Sequence, residues 1–453
     1  MRSYLPLLYC CVLAACASYQ ARPLATGISS QDKIPHLVVD PGTMPLPELA
    51  AHQFDPSDGL DMTELAILAV LNNPDLKIAR DDVGIAKAQA FSAGLLPDPQ
   101  LSLSRDLSNS GGPGSTKAFS YGISYDLMAL VNRSTAVAAA QAETRKTDLN
   151  LLWQEWQVVS QARLLYVKLT QGLKAKAVLE QNRGLFADRL HRTRMAQEKG
   201  LLTSDAVMPN LTALQDVQKQ LNDLERQASQ NRHELNALLG LAPQVPVTLQ
   251  DRAEPPEVDD AAVLEVLPKL AHRRPDLMGL EAGYLAQDQR YRAAILAQFP
   301  SLNLGLTHAR DSSGIYSNAV GLSLSLPILN RNRGNIAVED ATRQKLQDEY
   351  QQRLNTANSD IHKILAEQRI NARQLQEIRN GLVQLSAAAV QADKAFLQKN
   401  IDSLIYANVH TALLNKQIEE INLQETMLEQ RVALMTLIGG ELPVANSSEN
   451  NKR

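Results

Sequence analysis

The side chains that usually carry catalysis do not gather in any recognisable arrangement in this sequence. The eight histidines are scattered, and no two of them are four residues apart, the spacing that would place both on one helical face as metal ligands. No serine lies in a nucleophile elbow, and the glycine-rich stretch 111–114 precedes no predicted helix whose N-terminus could bind a phosphate. We therefore expect neither an enzyme nor a bound cofactor or metal ion.

The one side chain that we expect to be modified is Cys16. Arg2, the apolar stretch 5–14 and the small residues after it form the pattern of a secretory signal. Residues 13–16, Leu-Ala-Ala-Cys, resemble the bacterial lipobox, in which the cysteine becomes the acylated first residue of the mature chain. The alternative is an ordinary cleavage site with a chance cysteine. Because each buried methylene contributes about 0.8 kcal/mol, several acyl chains on Cys16, palmitate among them, would anchor the chain firmly.

The composition favours long helices over the core of a globular enzyme. Aromatic residues make up only 4% of the 453 residues, whereas Ala, Leu and Gln are abundant in long stretches. The 45 Lys and Arg residues and the 49 Asp and Glu residues are mixed throughout, so we expect no basic face and no nucleic acid partner. Beyond residue 16 no run of eighteen apolar residues occurs, so that only a closed sheet could carry the body of the chain through a membrane.

The most informative feature is an internal duplication with an offset of about 200 residues. The matching stretches are 73–76 (NPDL) with 274–277 (RPDL), 91–101 with 299–302, the alternating runs 119–127 and 320–328, and 239–243 with 438–443. Four correspondences in the same order predict two repeats, at residues 61–240 and 261–443, joined by a proline-rich linker at 241–260. A signal peptide at 1–15, a lipidated segment at 16–60 and a polar tail at 444–453 complete the predicted organisation.

Each repeat has the same predicted order of elements: a leading helix, a β-hairpin, a very long helix and a shorter returning helix. The predicted bounds are 62–95, 100–107, 118–127, 136–197 and 204–239 in the first repeat, and 261–298, 301–307, 319–326, 336–398 and 402–438 in the second. At 1.5 Å per residue, about 65 residues make a rod of roughly 100 Å, and a returning helix plus a leading helix have about the same combined length. We therefore predict a mainly α fold with a small β part, in which two short helices stacked end to end match each long one.

The predicted strands alternate apolar residues with small polar ones, as in the run Tyr121-Gly122-Ile123-Ser124-Tyr125. In a soluble sheet the apolar face would cover a core, whereas in a membrane barrel it would face lipid and the Ser and Gly face would line water. Four strands from one chain cannot close a barrel, but three chains with four strands each would supply twelve. Closure therefore depends on association of several copies.

Together these features resemble the outer membrane efflux protein family, the TolC-like trimeric channels. The residues that carry the resemblance are the openings at 73–76 and 274–277, the proline-bounded hairpins and the stretch 326–336 (LPILNRNRGNI), which looks like the branch that works with heavy-metal and related pumps of the RND type. The resemblance covers residues 61–443. It implies a homotrimer with a twelve-stranded β-barrel in outer-membrane lipid and a long α-helical periplasmic barrel. That helical barrel would dock on a periplasmic adaptor (membrane fusion) protein and an inner-membrane RND-type pump.

The resemblance also implies that the turns between each long helix and its returning helix form the periplasmic tip of the channel. Gly200 or Asn400 would tolerate the left-handed backbone that ends a helix, and Ser204 or Asp402 could cap the helix that follows. The residues expected at this tip, where an adaptor would bind, are Gly200, Leu201, Thr203, Ser204, Asn400 and Ser403.

Asp205 and Asp402 are the candidates for a ring of carboxylates that constricts the pore, because family members carry acidic residues in or just after these turns. Threefold symmetry would bring copies of each carboxylate together, which favours cations in the pore. The alternative is that both residues are helix N-caps or first-turn acids. Tyr406 stands where many relatives carry an Asp in their second repeat, which leaves the composition of the ring open.

The resemblance thus predicts an exit duct that passively conducts small molecules or metal ions, lipid-anchored in the outer membrane and extending into the periplasm. A type I protein-secretion duct would have the same strands and rods. A protein of a different class, a periplasmic coiled-coil scaffold or adaptor without a barrel, would carry one helical hairpin flanked by β-rich domains, unlike the duplicated plan here. The cargo cannot be read from this chain, since pumps usually select it.

Overall fold

The computed structural model describes residues 19–440 except 36, 38, 39, 107–115, 251–254 and 256. The expected signal peptide, the predicted lipidation site Cys16, all but the last residue of the first hairpin tip and the polar tail lie outside the described residues.

The described part of the chain is mainly helical and has one small sheet, so the predicted fold class is confirmed. The helices are α1 (Pro47–Ala51), α2 (Met62–Asn72), α3 (Pro74–Gly94), α4 (Met128–Glu198), α5 (Ser204–Leu238), α6 (Asp260–Val266), α7 (Leu270–Arg273), α8 (Pro275–Leu296), α9 (Arg333–Leu397) and α10 (Ser403–Ile438). The strands are β1 (Gln100–Asp106), β2 (Ala118–Asp126), β3 (Ser301–Arg310) and β4 (Tyr316–Ser325), and single 3-10 turns occupy Pro41–Thr43, Pro56–Asp58 and Leu267–Lys269.

The prediction of one continuous leading helix in each repeat is wrong, because a proline breaks it. Pro74 and Pro275 each occupy the first turn of a new helix, where the missing N–H costs nothing. The Asn73 carboxamide oxygen caps α3 by accepting from the N–H groups of Asp75 and Leu76 at 2.9 and 3.0 Å. Its amide nitrogen donates to the Leu238 carbonyl at 2.9 Å, which ties the break to the end of the returning helix α5.

The second repeat makes the same joint with different chemistry. Arg274 forms a buried, two-pronged ion pair with Asp276, with N–O distances of 3.0 and 2.8 Å, and it reaches the Leu437 carbonyl at the end of α10. The repeated Pro-Asp-Leu motif therefore marks the point where the leading helix of a repeat meets its returning helix. The shared joint accounts for the recurrence of these three residues in both repeats.

The long helices are longer than predicted, and shorter helices lie beside them as expected from the predicted lengths. Helix α4 has 71 residues and α9 has 65. Beside the first part of α4 lies α8, where Arg290 contacts Glu143 at 3.0 Å. Beside its second part lie α5 and α10. A leading helix such as α8 and a returning helix such as α10 thus lie along the length of one long helix.

In the described residues, every helix is too short or too polar to cross a lipid bilayer.

The segment before the first repeat and the linker pack more tightly than expected. Leu46 and Leu49 are buried against α2 and α4, and the Trp156 indole donates to the Pro45 carbonyl at 3.3 Å. Leu241 of the linker is buried and pairs with Gln31 in an isolated bridge. The expectation that residues 17–60 are irregular is therefore only partly right, because burial of apolar side chains stabilises these segments on the helices.

The four strands form one antiparallel sheet in the order β1-β2-β3-β4. The two hairpins join across the repeats through β2 and β3, where Tyr121 lies opposite His308. The second hairpin extends further than predicted, because the Asp311 carboxylate closes a tight turn by accepting from the N–H groups of Ser313 and Ile315, both at 2.9 Å. Strands β1 and β4 are the edges of the sheet and have no further strand beside them within the described chain.

Candidate functional site

The two faces of the sheet differ in chemistry over most of their length. One face is apolar and exposed; Leu103 is 75% and Val320 76% accessible to solvent. Its aliphatic and aromatic residues towards the helices and in the middle of the sheet are Leu101, Leu103, Phe119, Tyr121, Ile123, Tyr125, Leu302, Leu304, Leu306, Val320, Leu322 and Leu324. An apolar surface of this extent on a sheet that covers no core requires a partner or a lipid environment.

The other face carries only small or polar side chains along its central rows. A Cβ atom at Gly122 would lie 2.9 Å from the Thr307 Oγ1 and 3.0 Å from the Ser102 Oγ, so even a methyl group has no room there. On this face the hydroxyls of Ser104 and Ser120 lie 2.8 Å apart. The contacts around Gly122 therefore restrict the middle of this face to small side chains.

At the opposite end of the molecule, the long and returning helices are joined by two turns of the same geometry. Gly200 has a φ of 70° and Lys399 a φ of 62°, and each stands two residues after the last helical residue. The following residues, Leu201 and Asn400, donate back to carbonyls five positions earlier, at 2.9 and 2.8 Å. Both turns are thus Schellman-type helix ends. The expectation that Asn400 takes the left-handed position is wrong, since Lys399 does.

The two candidate carboxylates of the predicted ring play different local roles. Asp402 is the N-cap of α10, and its side chain accepts from the Ile405 N–H at 2.8 Å. Asp205 is an exposed first-turn acid of α5, whose N-cap is Thr203 without a side-chain cap bond. The expectation that Ser204 caps this helix is therefore wrong; its hydroxyl instead accepts from the Gln197 side chain at 2.9 Å.

The fold brings the two turns side by side in one chain. The buried Ser403 hydroxyl donates to the Ala206 carbonyl across almost the whole repeat distance. The other tip residues predicted from the sequence, Gly200, Leu201, Thr203, Ser204 and Asn400, are all exposed, as are Asp205 and Asp402. The turn end therefore offers an exposed surface with two carboxylates.

Just behind the turns lies a cluster that sequence reasoning missed. Tyr406 is fully buried, donates its hydroxyl to the Asp393 Oδ1 at 3.0 Å, and accepts from the Arg189 Nε at 3.2 Å. The His410 Nε2 lies 3.3 Å from the same carboxylate oxygen, and the His410 ring is 4.4 Å from that of Tyr406. The Phe396 ring also contacts that of Tyr406, with 4.7 Å between the ring centres and a tilt of 39°. We call these five residues the turn-end cluster.

Burial sets the protonation of this cluster. It raises the pKa of the Tyr406 hydroxyl, which therefore remains a hydrogen-bond donor to Asp393 at physiological pH. Burial also lowers the pKa of His410, against the attraction of Asp393, and favours the neutral imidazole. The available sequence signal was the placement of Tyr406 and His410 four residues apart on one helical face.

A second polar group lies further along the helical wall, between α4, α5 and α10. Burial, and after it the repulsion of Glu429, raises the pKa of Glu425 to about 7. Lys168 lies 3.7 Å from Glu429 and lowers the pKa of Glu425 only partly. These side chains line a cavity of about 240 Å³ together with uncharged amides of α5.

One group of the described residues has the composition of a metal site, namely His52, Asp61 and Glu64. Its carboxylates are already engaged at the start of α2. Asp61 accepts from the N–H groups of Thr63 and Glu64, both at 2.8 Å, and Glu64 accepts from the Asp61 N–H at 3.0 Å. This reciprocal capping box accounts for the cluster without a metal ion.

Comparison with known proteins finds relatives that are all named as outer membrane or efflux proteins. Residues 266–440 match the family model described as outer membrane efflux protein. The pyoverdine export outer membrane protein OpmQ of Pseudomonas aeruginosa is 26% identical, over 95% of this chain and 95% of that protein. The cation efflux system protein CusC of Escherichia coli is 23% identical, over 82% and 85%. The probable outer membrane lipoprotein SilC of Salmonella typhimurium is also 23% identical, over 82% and 84%.

Solved structures share the fold. The outer-membrane channel OprN superposes with a TM-score of 0.73 at 17% identity, covering 93% of this chain and 99% of that one. A crystal structure of CusC gives a TM-score of 0.69 at 20% identity, covering 88% and 97%. At these identities the likeness establishes a common architecture, which agrees with the helix and strand order described above.

Proposed function

We propose that this chain is an outer membrane efflux protein, the family whose model matches residues 266–440, and that it lies in the outer membrane with its helices extending into the periplasm. On that premise, three copies form a passive exit duct. Each copy would contribute four strands to a twelve-stranded barrel and its long helices to a tunnel across the periplasm. Cargo delivered by an inner-membrane pump through a periplasmic adaptor would pass through it to the exterior.

The sheet carries this proposal. It has two free edges, β1 and β4, and a sheet edge presents unpaired N–H and C=O groups that must find partners in a membrane. Pairing β1 of one copy with β4 of the next satisfies both edges and closes the ring. The exposed apolar face then meets lipid, and the crowded face around Gly122 lines the water-filled lumen.

Transport through such a duct requires no chemistry from the chain, so we propose that it selects little and catalyses nothing. The relatives named for pyoverdine export and for cation efflux are about equally similar to this chain. Overall similarity therefore favours neither a small organic cargo nor a metal ion. We propose that the partner pump in the inner membrane is of the RND type and that this pump selects the cargo.

The turn end is the part that we propose meets the adaptor. Its exposed residues around Gly200 and Asn400 would form the contact surface, and Asp205 and Asp402 would line the narrowest part of the tunnel. The turn-end cluster would hold the two helical hairpins together behind that constriction, because Arg189 belongs to the first repeat and Tyr406 to the second. Docking of a partner would have to break these contacts to widen the tip.

We further propose that Cys16 carries a lipid anchor, as the lipobox-like sequence and the similarity to a probable outer membrane lipoprotein suggest. The Cys16→Ala variant should fail to incorporate labelled palmitate. Incorporation by the variant at the wild-type level would contradict acylation at this residue.

A disulfide experiment tests the trimeric wall. Within one chain β1 and β4 are separated by two strands, about 14 Å at about 4.8 Å per strand, which is too far for a disulfide. Ser102→Cys on β1 should therefore be combined with a panel on β4: Ser317→Cys, Ala319→Cys and Ser323→Cys. All these positions lie on the small face. Oxidation of intact cells should yield reducible covalent trimers for at least one pair.

The matched control places the first cysteine at Ser120 on β2, which is already paired on both sides and should give no covalent trimer. If every β1–β4 pair stays monomeric and the purified chain in detergent is a monomer, the duct has no wall and the proposal is wrong. A helical scaffold without a barrel would give that result. Purified trimers should also conduct ions in planar bilayers.

A further inference from the structure

The end of the sheet furthest from the helices carries a row of residues in which arginine alternates with aromatic rings. Arg105 lies opposite Phe119, Phe119 opposite Arg310, and Arg310 opposite Tyr316. Directly paired residues in an antiparallel sheet point to the same side, so all four stand on the apolar face. We call these four residues the rim row.

Arg310 lacks a hydrogen-bond acceptor that it needs. Its guanidinium carbon lies 5.5 Å from the centre of the Tyr316 ring, which fixes the group over the aromatic face. Its Nε is buried and has no hydrogen-bond partner among the described residues. An unpaired buried donor is costly, so a rotation of the side chain that brings the Nε to an acceptor outside the chain would stabilise the site.

The neighbouring acidic residues do not cancel the positive charge of the row. Asp106 follows Arg105 directly and therefore points to the opposite face of the sheet. The Asp311 carboxylate is occupied by the N–H groups of Ser313 and Ile315 in the turn. The rim row thus offers two guanidinium groups to an anion.

Next to the row, towards the helices, lies an apolar groove. A cavity of about 310 Å³ is lined by Leu101, Tyr121, Ile123, Leu306, His308 and Val320, among others. The His308 ring stands at its polar end, 5.0 Å from the Tyr121 ring and with its Nδ1 2.6 Å from the Asn318 Oδ1. An apolar groove that ends at two arginines matches an amphiphile with an anionic head.

We propose that the rim row binds the phosphate headgroup of an outer-leaflet glycolipid, with an acyl chain in the adjoining groove. This inference rests on the proposed function, which puts the hairpin turns at the exterior. The depth agrees: eight residues separate Leu302 from Arg310, about 27 Å along the strand, or roughly 20 Å of depth at the usual tilt of about 40°. Arginine forks suit phosphate oxygens, and the flanking rings suit the membrane interface.

The test compares trimers of the wild type with the double variant Arg105→Gln/Arg310→Gln. After delipidation in detergent, each is titrated with lipid A micelles, either phosphorylated or dephosphorylated, and binding is followed by native mass spectrometry. We expect the wild type to bind the phosphorylated form on the order of tenfold more tightly, and the double variant to lose that preference. The matched control, Arg331→Gln/Arg333→Gln, removes two charges at the other end of the sheet and should retain it.

Equal binding of both lipid forms by the wild type, or unchanged preference in the double variant, would overturn the inference. Complete displacement by millimolar inorganic phosphate would identify a free-anion site and would overturn it as well. Conductance and trimer content are measured on the same samples. Trimers that conduct but bind both lipid forms equally contradict only the lipid site. Monomers without conductance contradict the proposed duct.

Discussion

The guanidinium carbon of Arg189 lies 4.9 Å from the centre of the Tyr406 ring, although the two residues are 217 positions apart and belong to different repeats. Their Nε and hydroxyl groups are also hydrogen-bonded, at 3.2 Å. Through Tyr406 the arginine is connected to Asp393 on α9 and to the start of α10. One buried side chain thus links three helices immediately behind the exposed turns.

The Tyr406→Phe variant should loosen this link without disturbing its packing. The ring contacts with Phe396 and His410 remain, but the hydrogen bonds to Asp393 and from Arg189 are lost. Each lost bond to a charged group costs about 1.5–3 kcal/mol at most, and less here because Asp393 is partly exposed to water. We expect a lower thermal midpoint and a higher single-channel conductance of purified trimers in planar bilayers.

The matched control is Tyr350→Phe on α9, which removes the same hydroxyl group from a tyrosine that packs in another cluster of the wall. It should leave the conductance unchanged. A Tyr406→Phe protein that is destabilised but conducts like the wild type would show that the cluster supports the fold and does not restrict the tip.

Charge and capping can be separated at Asp402, because asparagine caps a helix as well as aspartate does. Asp402→Ala should cost about 1 kcal/mol in unfolding free energy, since the acceptor for the Ile405 N–H is lost, whereas Asp402→Asn should be nearly neutral. If the carboxylate lines the constriction, both variants, and Asp205→Asn, should lower the preference for cations over anions. Reversal potentials in a salt gradient measure this preference. Unchanged potentials in both asparagine variants would leave Asp402 as a cap only.

The order of helices and strands could be predicted from the sequence because period-two and helical patterns are local properties, and the duplication checks each assignment against a second copy. What failed depends on single residues. The sequence favours Asn400 for the left-handed position because asparagine tolerates that conformation, whereas the two helix ends are 199 positions apart and Lys399 is the residue equivalent to Gly200. An exposed lysine accepts this conformation at a cost of about 1–2 kcal/mol, which propensity alone would not suggest.

The joints and the turn-end cluster were missed for a different reason. Asn73 reaches the Leu238 carbonyl, and Arg189 reaches Tyr406, over separations of 165 and 217 residues. Such contacts depend on the register between helices from different parts of the chain, and no local pattern encodes that register. The repeated Pro-Asp-Leu residues can be recognised in the sequence, but their role in joining two helices cannot be derived from it.

Glu425 should make the stability of the chain depend on pH in the direction opposite to an ordinary paired carboxylate. Burial raises its pKa from 4.5 to about 7, so the folded chain holds a proton that the unfolded chain has already released. The contribution of this proton is absent below about pH 4, where both states are protonated. The free energy of unfolding therefore falls as the pH rises from about 4.5 to about 7 and stays lower above that range.

Glu425→Gln removes this dependence. We expect the variant to be more stable than the wild type at pH 8, by about 1 kcal/mol after allowance for solvent screening of a partly exposed group, and no different at pH 4. Thermal unfolding followed by circular dichroism between pH 4 and pH 8.5 measures the effect. Glu419→Gln, at an exposed position of the same helix, should follow the wild-type curve. Parallel curves for wild type and Glu425→Gln would contradict a raised pKa.

Gly122 should tolerate no side chain, because its neighbours on the small, polar face of the sheet already occupy the space that a Cβ would need. In Gly122→Ala the methyl group would lie 2.9 Å from the Thr307 Oγ1, 3.0 Å from the Ser102 Oγ and 3.1 Å from the Leu306 carbonyl oxygen. The backbone oxygen cannot rotate away, so the strands must separate, at a cost of about 1–3 kcal/mol.

Gly321→Ala is the matched control, since the nearest atom there is 3.9 Å away. The temperature at which trimers dissociate on a semi-native gel should fall for Gly122→Ala and stay constant for Gly321→Ala. Equal midpoints for the two variants would mean that the small, polar face is not crowded in the assembled wall.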